Sequence, residues 1–343
     1  MTILKTDTVS GIGTEGTVFE GDITFDSFNY MTLPKGITTQ SNKGRALLGG
    51  GHDGSAATNH IHYLNIQSQG NTEEFGDLTV ARWIPAATAS STRGVWNGGG
   101  GPYVNTIDFV TISSTANATD FGDLTEEKSY HDAVSNETRG VIGGGYNDTG
   151  GSRINVLEYI TIATTGNGIN FGDLTVIRMM PTAAGSPTRG LYMGGDLAPN
   201  SVPTNVVDYI TIATTGDATD FGDMTAPTKY GGACSSNVRA IYMGGDSPDD
   251  STRTNKIEYF TIATLGNGTD FGDLITAKNT ATGATSNNTR GISCAGYTGS
   301  TNVNSIEFIT IATTGNASDF GDIITHNMRG IGALSDSHGG LSE

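Results

Sequence analysis

The chain repeats a short segment in which apolar residues occupy both alternating sets of positions. Residues 157–162 read Leu-Glu-Tyr-Ile-Thr-Ile, and similar segments occupy 61–66, 107–112, 207–212, 257–262 and 306–311. Their length and their content of Ile, Tyr and Thr predict β-strands. Apolar residues on both parities predict that each strand is covered on both faces of its sheet.

Each of these segments is followed by the triplet Phe-Gly-Asp, which divides the chain into similar copies. The triplets begin at Phe75, Phe121, Phe171, Phe221, Phe271 and Phe320. A spacing of roughly fifty residues with strand-like content is typical of β-propellers. A single sheet of this kind cannot bury both apolar faces, so the copies are predicted to pack against one another.

One copy, residues 133–175, illustrates the four strands predicted for each repeat. Strand A covers 133–135, strand B covers 139–142, strand C covers 157–162, and strand D includes the residues around 169–171. Between strands C and D, Gly166 and Asn167 favour a tight hairpin turn, because both residue types adopt positive φ angles readily. The predicted fold class is all-β, with four-stranded sheets.

Glycine runs close strand B in most copies, at 49–51, 98–100, 143–145, 194–195 and 244–245, and an aromatic residue follows each run in strand C. In this arrangement the chain resembles the kelch-type β-propeller. The copies lack the later Trp of that family, and the sixth copy has Ala295 and Gly296 in place of the glycine pair. The resemblance covers nearly the whole chain. It implies a β-propeller of four-stranded kelch-like blades, and it implies no particular activity.

The N- and C-terminal strands are predicted to close the ring together. Residues 333–340 align with a strand A, whereas residues 28–32 align with a strand D and residues 18–23 with a strand C. Together they form a composite seventh blade, and joining the first and last strands removes an exposed sheet edge. Seven blades are favoured, and six are the alternative. The expected domains are an N-terminal attachment arm, residues 1–16, and the propeller, residues 17–343.

The composition limits the expected partners. The 343 residues carry a net charge of −17, which disfavours binding to nucleic acid because phosphates are repelled. No apolar stretch approaches the roughly 20 residues that span a bilayer, so no membrane insertion is expected. The N-terminus lacks the pattern of a signal peptide. Cys234 and Cys294 are expected to be free, in keeping with synthesis in a reducing cytoplasm.

The polar residues that the copies share are assigned to the fold. The triplet carboxylates are expected to hydrogen-bond turns or main chain. The arginines that begin strand B are expected to pair with carboxylates or to cap strand ends; they are Arg45, Arg93, Arg139, Arg189, Arg239 and Arg290. The histidines have no metal-ligand spacing. The acidic loop of Asp246, Asp249 and Asp250 is expected to be solvated, with Ca²⁺ binding as the alternative. No catalytic residue, cofactor or metal ion is predicted.

The loops differ between copies on one face only. In an antiparallel four-stranded blade, the A–B and C–D turns leave one face, and the B–C and D–A connections leave the other. The C–D turns are nearly uniform, whereas the other two connections vary and contain aromatic residues. Loops on a rigid scaffold often carry recognition, so this variable face is predicted to bind a partner. The alternative is unconstrained drift, or aromatic residues that only cover the blade ends. The candidate partner-binding residues are Arg82, Trp83, Tyr103, Tyr130, His131, Tyr146, Arg178, Met180, Lys229 and Tyr230.

Two further segments resemble proteins of known biology. Residues 161–166 and 171–175, Thr-Ile-Ala-Thr-Thr-Gly and Phe-Gly-Asp-Leu-Thr, resemble repeats in structural proteins of marine tailed phages, and residues 4–7 and 9–11 are similar to the start of some phage appendage proteins. These resemblances imply a non-enzymatic virion structural protein, assembled in the host cytoplasm, that serves as a capsid decoration or a tail-associated appendage such as a tail fibre. Other virion proteins are the expected partners of the arm, and a host-surface glycan or protein is the expected partner of the variable face. The alternative is a glycan-active propeller enzyme.

Overall fold

The computed structural model describes residues 44–199, 201–246, 252–279, 283–324 and 326–341, all within the compact unit Asn42–Glu343. Over these ranges the chain is all-β, as predicted, and contains no helix that is long and apolar enough to cross a membrane. Its strands form six four-stranded antiparallel sheets and two short three-stranded sheets. The predicted arm, residues 1–16, and the predicted strands 18–23 and 28–32 lie outside the described residues.

Each four-stranded sheet has the order A-B-C-D, and the sheets are numbered 1 to 6 by the position of strand B in the chain. The A strands are Gly332–Ser335, Ala86–Ala89, Asp132–Ser135, Thr182–Gly185, Gly232–Ser235 and Ala284–Ser286. The B strands are Arg45–Gly49, Arg93–Asn97, Arg139–Gly143, Arg189–Met193, Arg239–Met243 and Arg290–Tyr297. The C strands are His60–Asn65, Thr106–Thr111, Val156–Thr161, Val206–Thr211, Lys256–Thr261 and Asn302–Thr310. The D strands are Glu73–Asp77, Thr119–Asp123, Ile169–Asp173, Thr219–Asp223, Thr269–Asp273 and Ser318–Asp322. The three-stranded sheets comprise Lys128–Ser129, Tyr146–Asn147 and Ser152–Arg153, and Arg178–Met179, Asp196–Leu197 and Val202–Pro203.

The last described strand in the chain, Gly332–Ser335, completes sheet 1. Gly332–Ser335 pairs with Arg45–Gly49, which places Leu334 opposite Leu47. The C-terminal segment is therefore a strand A, as predicted. It belongs to the sheet of the first full copy, whereas the prediction placed it in a composite sheet with residues 18–32. Alignment of the copies identifies Gly332–Ser335 as a strand A. The strand B with which it pairs depends on which sheet lacks a strand A from its own copy.

Six apolar clusters fill the spaces between consecutive sheets. In one of them, Val141 and Leu157 of sheet 3 pack with Tyr192 of sheet 4. Another joins sheet 6 to sheet 1, where Ile292 packs with Leu48. Each sheet is thus covered by a neighbour on both faces, which explains why apolar residues occupy both parities of strand C.

The Phe-Gly-Asp triplet joins one sheet to the next through its main chain. In sheet 3, the Phe171 carbonyl accepts a hydrogen bond from the Gly216 N–H at 2.7 Å, and the Asp173 carbonyl accepts one from the Ala218 N–H at 2.8 Å. Gly216 and Ala218 belong to the C–D connection of sheet 4. A β-bulge between strands C and D leaves Phe171 without an opposite residue in strand C. The carbonyl of Phe171 is therefore available to the next sheet.

The contact recurs between the other sheets, including the last and the first, although the bond described between sheets 1 and 2 is the one from the Ala118 N–H to the Asp77 carbonyl, at 2.7 Å. The Gly70 N–H of sheet 1 donates to the Phe320 carbonyl of sheet 6 at 2.9 Å. The triplets therefore serve the fold, as predicted, although the main chain rather than the Asp carboxylate supplies these hydrogen bonds.

The arginine that begins each strand B also links two sheets. Arg139 stacks on Tyr159 of its own sheet, 4.2 Å from the ring centre, and its Nη1 donates to the Ile212 carbonyl of sheet 4 at 3.0 Å. The corresponding bond from Arg290 of sheet 6 reaches Ile66 in sheet 1 at 2.9 Å. A carbonyl just beyond strand C of the next sheet, rather than a carboxylate, is thus the acceptor for these arginines.

We predict that Gly172→Ala destabilises the protein by about 3 kcal/mol. Gly172 has a φ of +152°, and a Cβ there would lie 2.4 Å from the Gly216 carbonyl group, which the main-chain contact between sheets holds in place. Gly166→Ala is the matched control, because no atom lies within 4 Å of its added Cβ. Urea denaturation measures both free energies of unfolding, and equal losses in the two variants would contradict this account.

Candidate functional site

The D–A and B–C connections lie side by side, as predicted for the variable face. In the D–A connection before sheet 3, Lys128–Ser129 pairs with Tyr146–Asn147, which pairs in turn with Ser152–Arg153. At the corresponding place before sheet 2, Trp83 forms a bridge with Gly100. These short pairings give the variable face a second layer of backbone hydrogen bonds, which holds its side chains in position.

One position on this face has a left-handed backbone in each copy where it is described. It lies two residues before strand A, with φ between 51° and 60°, and is occupied by Ile84, Tyr130, Met180, Tyr230 and Gly330. This conformation costs an ordinary residue about 1 kcal/mol relative to glycine. The fold nevertheless holds four large side chains there. Ile84, Tyr130, Met180 and Tyr230 line one small pocket together.

Aromatic rings extend from this pocket across the variable face. The ring centres of Tyr230 and Tyr130 lie 6.2 Å apart, and those of Tyr130 and Trp83 lie 5.7 Å apart, each pair edge to face. The Arg329 guanidinium lies 5.6 Å from the Trp83 ring and 5.1 Å from the Tyr297 ring. We call these five residues, in the order Tyr297, Arg329, Trp83, Tyr130 and Tyr230, the aromatic row. All five are half-buried, so each presents part of its side chain to solvent.

Backbone contacts and glycine fix the position of Trp83 in the row. Its N–H and carbonyl bond to the carbonyl and N–H of Gly100 at 2.9 and 2.8 Å. A Cβ at Gly100 would lie 2.9 Å from Trp83 Nε1, so the indole lies directly over the glycine. Tyr103 flanks the same glycine and is 38 % exposed. Burial raises the pKa of Tyr130 to about 12, which keeps its hydroxyl protonated as a hydrogen-bonding group at neutral pH.

Two of the predicted binding residues are buried and belong to the scaffold. Arg82 and Arg178 are fully buried, and each guanidinium lies 2.8 Å from a carboxylate oxygen of strand C, in Asp108 and Asp208 respectively. Charged side chains held in this way are out of reach of a partner. They fasten the D–A connection to the sheet that follows it.

His131, Met180 and Lys229 are also buried. The His131 Nε2 lies 3.1 Å from the Asn97 carbonyl oxygen, and burial, with a smaller effect from the Lys128 charge, lowers its pKa to about 3. The Lys229 Nζ lies 3.4 Å from Asp196 Oδ2.

Of the predicted set, five aromatic residues reach the surface. Trp83, Tyr130 and Tyr230 do so within the row, Tyr103 beside it, and Tyr146 in the short strand Tyr146–Asn147 outside it. Arg329 and Tyr297 were missed by the sequence analysis. Arg329 lies in a D–A connection and Tyr297 at the end of strand B in the irregular sixth copy, so their positions relative to the repeat were the available signal.

A buried ion pair recurs between the D–A connection and strand C, and two copies depart from it. Besides the arginine pairs, Lys128 pairs with Glu158, and the Lys278 Nζ lies 3.1 Å from Glu307 Oε1. The equivalent positions hold Thr228 and Glu258 in sheet 5, and Met328 and His62 in sheet 1. Sheet 1 thus has a neutral group at each of the two positions, since burial lowers the His62 pKa to about 4.

Sheet 5 has the carboxylate of the pair, Glu258, but Thr228 stands at the position of the cation. Among the described residues, Glu258 forms no ion pair, and its Oε2 accepts a hydrogen bond from the Thr225 N–H at 2.9 Å. Burial raises its pKa, because desolvation disfavours the charged form. Lys229 does not replace the missing cation, since it lies one position further along the chain and contacts Asp196 instead.

The A strands of all six sheets line a central cavity of about 60 Å³. This volume holds a few water molecules at most and is well below the roughly 300 Å³ of a typical small-molecule site. Asp132 lines it, with its two carboxylate oxygens accepting the Ala133 and Ala183 N–H groups at 2.8 and 2.7 Å. Burial raises its pKa to about 7. This single-copy carboxylate was not predicted from the sequence, although the equivalent positions hold Ala86, Thr182, Gly232 and Gly332.

The segment after the last strand covers one mouth of this cavity. The His338 Nε2 lies 3.0 Å from the Ala89 carbonyl oxygen of sheet 2 and 3.3 Å from Ser135 Oγ of sheet 3. The Gly339 N–H donates to the Ser235 carbonyl of sheet 5 at 3.1 Å. Burial lowers the pKa of His338, so the segment docks with a neutral imidazole.

In the part of the chain that the structure describes, no group of three or more His, Cys, Asp or Glu side chains is placed to hold a metal ion. The Asp246 Oδ1 bonds to Arg253 Nε and Asn279 Nδ2, each at 3.1 Å. Asp249 and Asp250, of the predicted acidic loop, lie outside the described residues. Both cysteines are free and buried, as predicted.

We predict that Thr228→Lys stabilises the protein and that Lys278→Thr destabilises it by about 3 kcal/mol at pH 8. The first change supplies the cation that Glu258 lacks, and the second leaves Glu307 in the same state as Glu258. Because the folded-state pKa of Glu258 is raised, wild-type stability falls as the pH rises from the unfolded-state value through the folded-state value. The gain from Thr228→Lys should therefore be larger at pH 8 than at pH 4. Urea denaturation at both pH values measures it, and a gain that does not change with pH would contradict the argument.

Comparison with known proteins adds no family assignment. No known protein family matches this chain, and no curated protein is similar to it. The functional conclusion therefore rests on the geometry of the variable face and on the sequence resemblances.

Proposed function

We propose that the six sheets are the blades of a closed, kelch-like β-propeller. Three sets of contacts support this proposal: the apolar clusters, the main-chain bonds of the triplets and the strand B arginines. Each set runs from every sheet to the next, and each includes a link between sheet 6 and sheet 1. Strand A of sheet 1 comes from Gly332–Ser335, so the described sheets need no further strand to close the ring. The proposed count is thus six blades, which was the alternative to the seven that the sequence favoured.

An experimental density map of the full-length protein tests this count. We expect six blades around one axis, with Gly332–Ser335 in the same blade as Arg45–Gly49. A seventh blade that contains residues 18–32 would overturn the proposal.

We propose further that the protein is a non-enzymatic virion structural protein whose variable face binds a host-surface glycan. The aromatic row carries this proposal. The polar residues shared by the copies are engaged in contacts within and between sheets, whereas the residues that distinguish the copies bring rings from several connections together on one surface. Aromatic residues supply contact area at little entropic cost, and a tyrosine adds a hydroxyl to it.

The place of the protein in a virion is supported by its resemblance to repeats of phage structural proteins. The proposed location is a capsid decoration or a tail-associated appendage. Its contact with other virion proteins is assigned to the arm, residues 1–16. Labelling of purified virions with an antibody to the propeller would place the protein on the head or the tail.

We predict that Trp83→Ala and Tyr230→Ala each weaken glycan binding about tenfold or more, because each removes a ring from the row. A glycan array and titration of the best binder with the full chain measure the effect. Leu265→Ala is the matched control, since Leu265 is a large apolar side chain, 59 % exposed, on a C–D turn. Release of a cleaved product would favour a glycan-active enzyme. If all three variants bind the glycan equally well, the aromatic row is not part of the binding site.

A further inference from the structure

We propose that the aromatic row binds an anionic oligosaccharide and that Arg329 binds its negative group. The inference rests on the proposed glycan-binding function and adds to it the chemical class of the ligand. That class is a sugar chain that carries a carboxylate or a sulfate.

The Arg329 guanidinium is held in place without an acidic partner. Among the described residues it forms no ion pair or side-chain hydrogen bond, and its buried Nε has no acceptor. The other cations on this face are neutralised: Arg153 and Lys229 lie 3.3 and 3.4 Å from Asp196 Oδ2, and Arg253 lies 3.1 Å from Asp246 Oδ1. In a chain with a net charge of −17, a cation that has no carboxylate partner among the described residues is available to an external anion.

The rings beside Arg329 occupy none of its N–H donors, and of its three nitrogens only Nε is buried without a partner. Trp83 and Tyr297 contact the guanidinium as cation–π partners. Such contacts use the face of the rings and consume none of the N–H donors, of which an arginine has five in a planar fork. A carboxylate or sulfate matches that fork with two parallel hydrogen bonds.

Two further donors lie in the same part of the variable face. The Trp83 indole N–H has no acceptor among the described residues, and the His52 ring lies 5.8 Å from the Trp83 ring. The His52 Nδ1 accepts the Gly54 N–H at 2.9 Å, so the proton of the neutral ring is on Nε2. The Oδ1 of the adjacent Asp53 accepts the N–H groups of Ser55 and Ala56 at 2.7 and 2.8 Å, so one of its two oxygens is committed to the loop. The region around Trp83 thus contains donors in addition to the Arg329 guanidinium.

The rest of the row indicates a sugar chain. Beyond Trp83 the row continues through Tyr130 to Tyr230 with rings in edge-to-face contact, and it contains no second cation. A polyanion such as nucleic acid requires many cations and is repelled by the net charge. A sugar chain with one negative group and several apolar ring faces matches one cation followed by several aromatic rings.

Binding of defined oligosaccharides by the full chain tests the proposal. The probes are a sialylated lactose, a sulfated lactose and unmodified lactose, compared by calorimetric titration at fixed salt concentration. We expect at least one anionic probe to bind about tenfold more tightly than lactose, and which one does so identifies the charged group. Arg329→Gln should abolish this preference, and Arg329→Lys should retain part of it.

Lys256→Gln is the matched control, because it removes the same charge from the exposed start of strand C in sheet 5. Thermal denaturation establishes that each variant is folded, and the preference of the wild type for anionic probes is informative without any variant. Equal affinity for lactose and both anionic probes, with loss of binding in Trp83→Ala, would overturn the anionic specificity and leave glycan recognition intact. The absence of binding to every probe, together with an unresponsive glycan array, would overturn both.

Discussion

The fold depends on a main-chain hydrogen-bonded contact between consecutive sheets. A four-stranded sheet with two apolar faces has no stable existence alone, and packing of side chains on its faces does not fix the distance to its neighbours. The carbonyls of Phe171 and Asp173 accept N–H groups from the next sheet at 2.7 and 2.8 Å, and this sets the separation. Glycine is needed at the centre of the contact, because the neighbouring backbone lies where a Cβ would be. The apolar clusters, the arginine bonds and the shape of the variable face all follow from this spacing.

Residues that repeat and residues that differ have separate tasks in this architecture. The repeated arginines, triplets and buried ion pairs are committed to contacts within and between sheets, so none of them is free to act on a ligand. The left-handed position before strand A is different, because the fold determines its backbone conformation but not which side chain it carries. Tyr130 and Tyr230 occupy that position in two copies, and the neighbouring position contributes Trp83 in one copy and Arg329 in another. Local departures from the repeat thus converge on one surface.

Much of the fold was predictable because its signals are local. Alternation of apolar residues, the glycine runs and the Gly-Asn turn lie within single copies, and the strands formed close to where these patterns placed them. The variable face was located for the same reason. The burial of Arg82 and Arg178 was not predicted, since a cation in a variable loop reads as exposed until its partner is known. Their partners, Asp108 and Asp208, lie in strand C and recur in phase with the basic residues, so comparison of the two positions across copies would have revealed the pairing. Asp132 and Arg329 each occur in one copy only, so alignment of the copies does not single them out.

Placement of Gly332–Ser335 in the first sheet has a consequence for the order in which the molecule forms. Asp336, which follows that strand, bonds to the Arg45 N–H across 291 positions of sequence. During synthesis, Arg45–Gly49 leaves the ribosome long before Gly332–Ser335, the strand that pairs with one of its edges, has been made. Sheets 2 to 6 contain their four strands in sequence and can form as they emerge, whereas sheet 1 waits for Gly332–Ser335. Termination before residue 332 would therefore leave this edge of Arg45–Gly49 without its partner strand, and an open edge can pair with another unfinished copy.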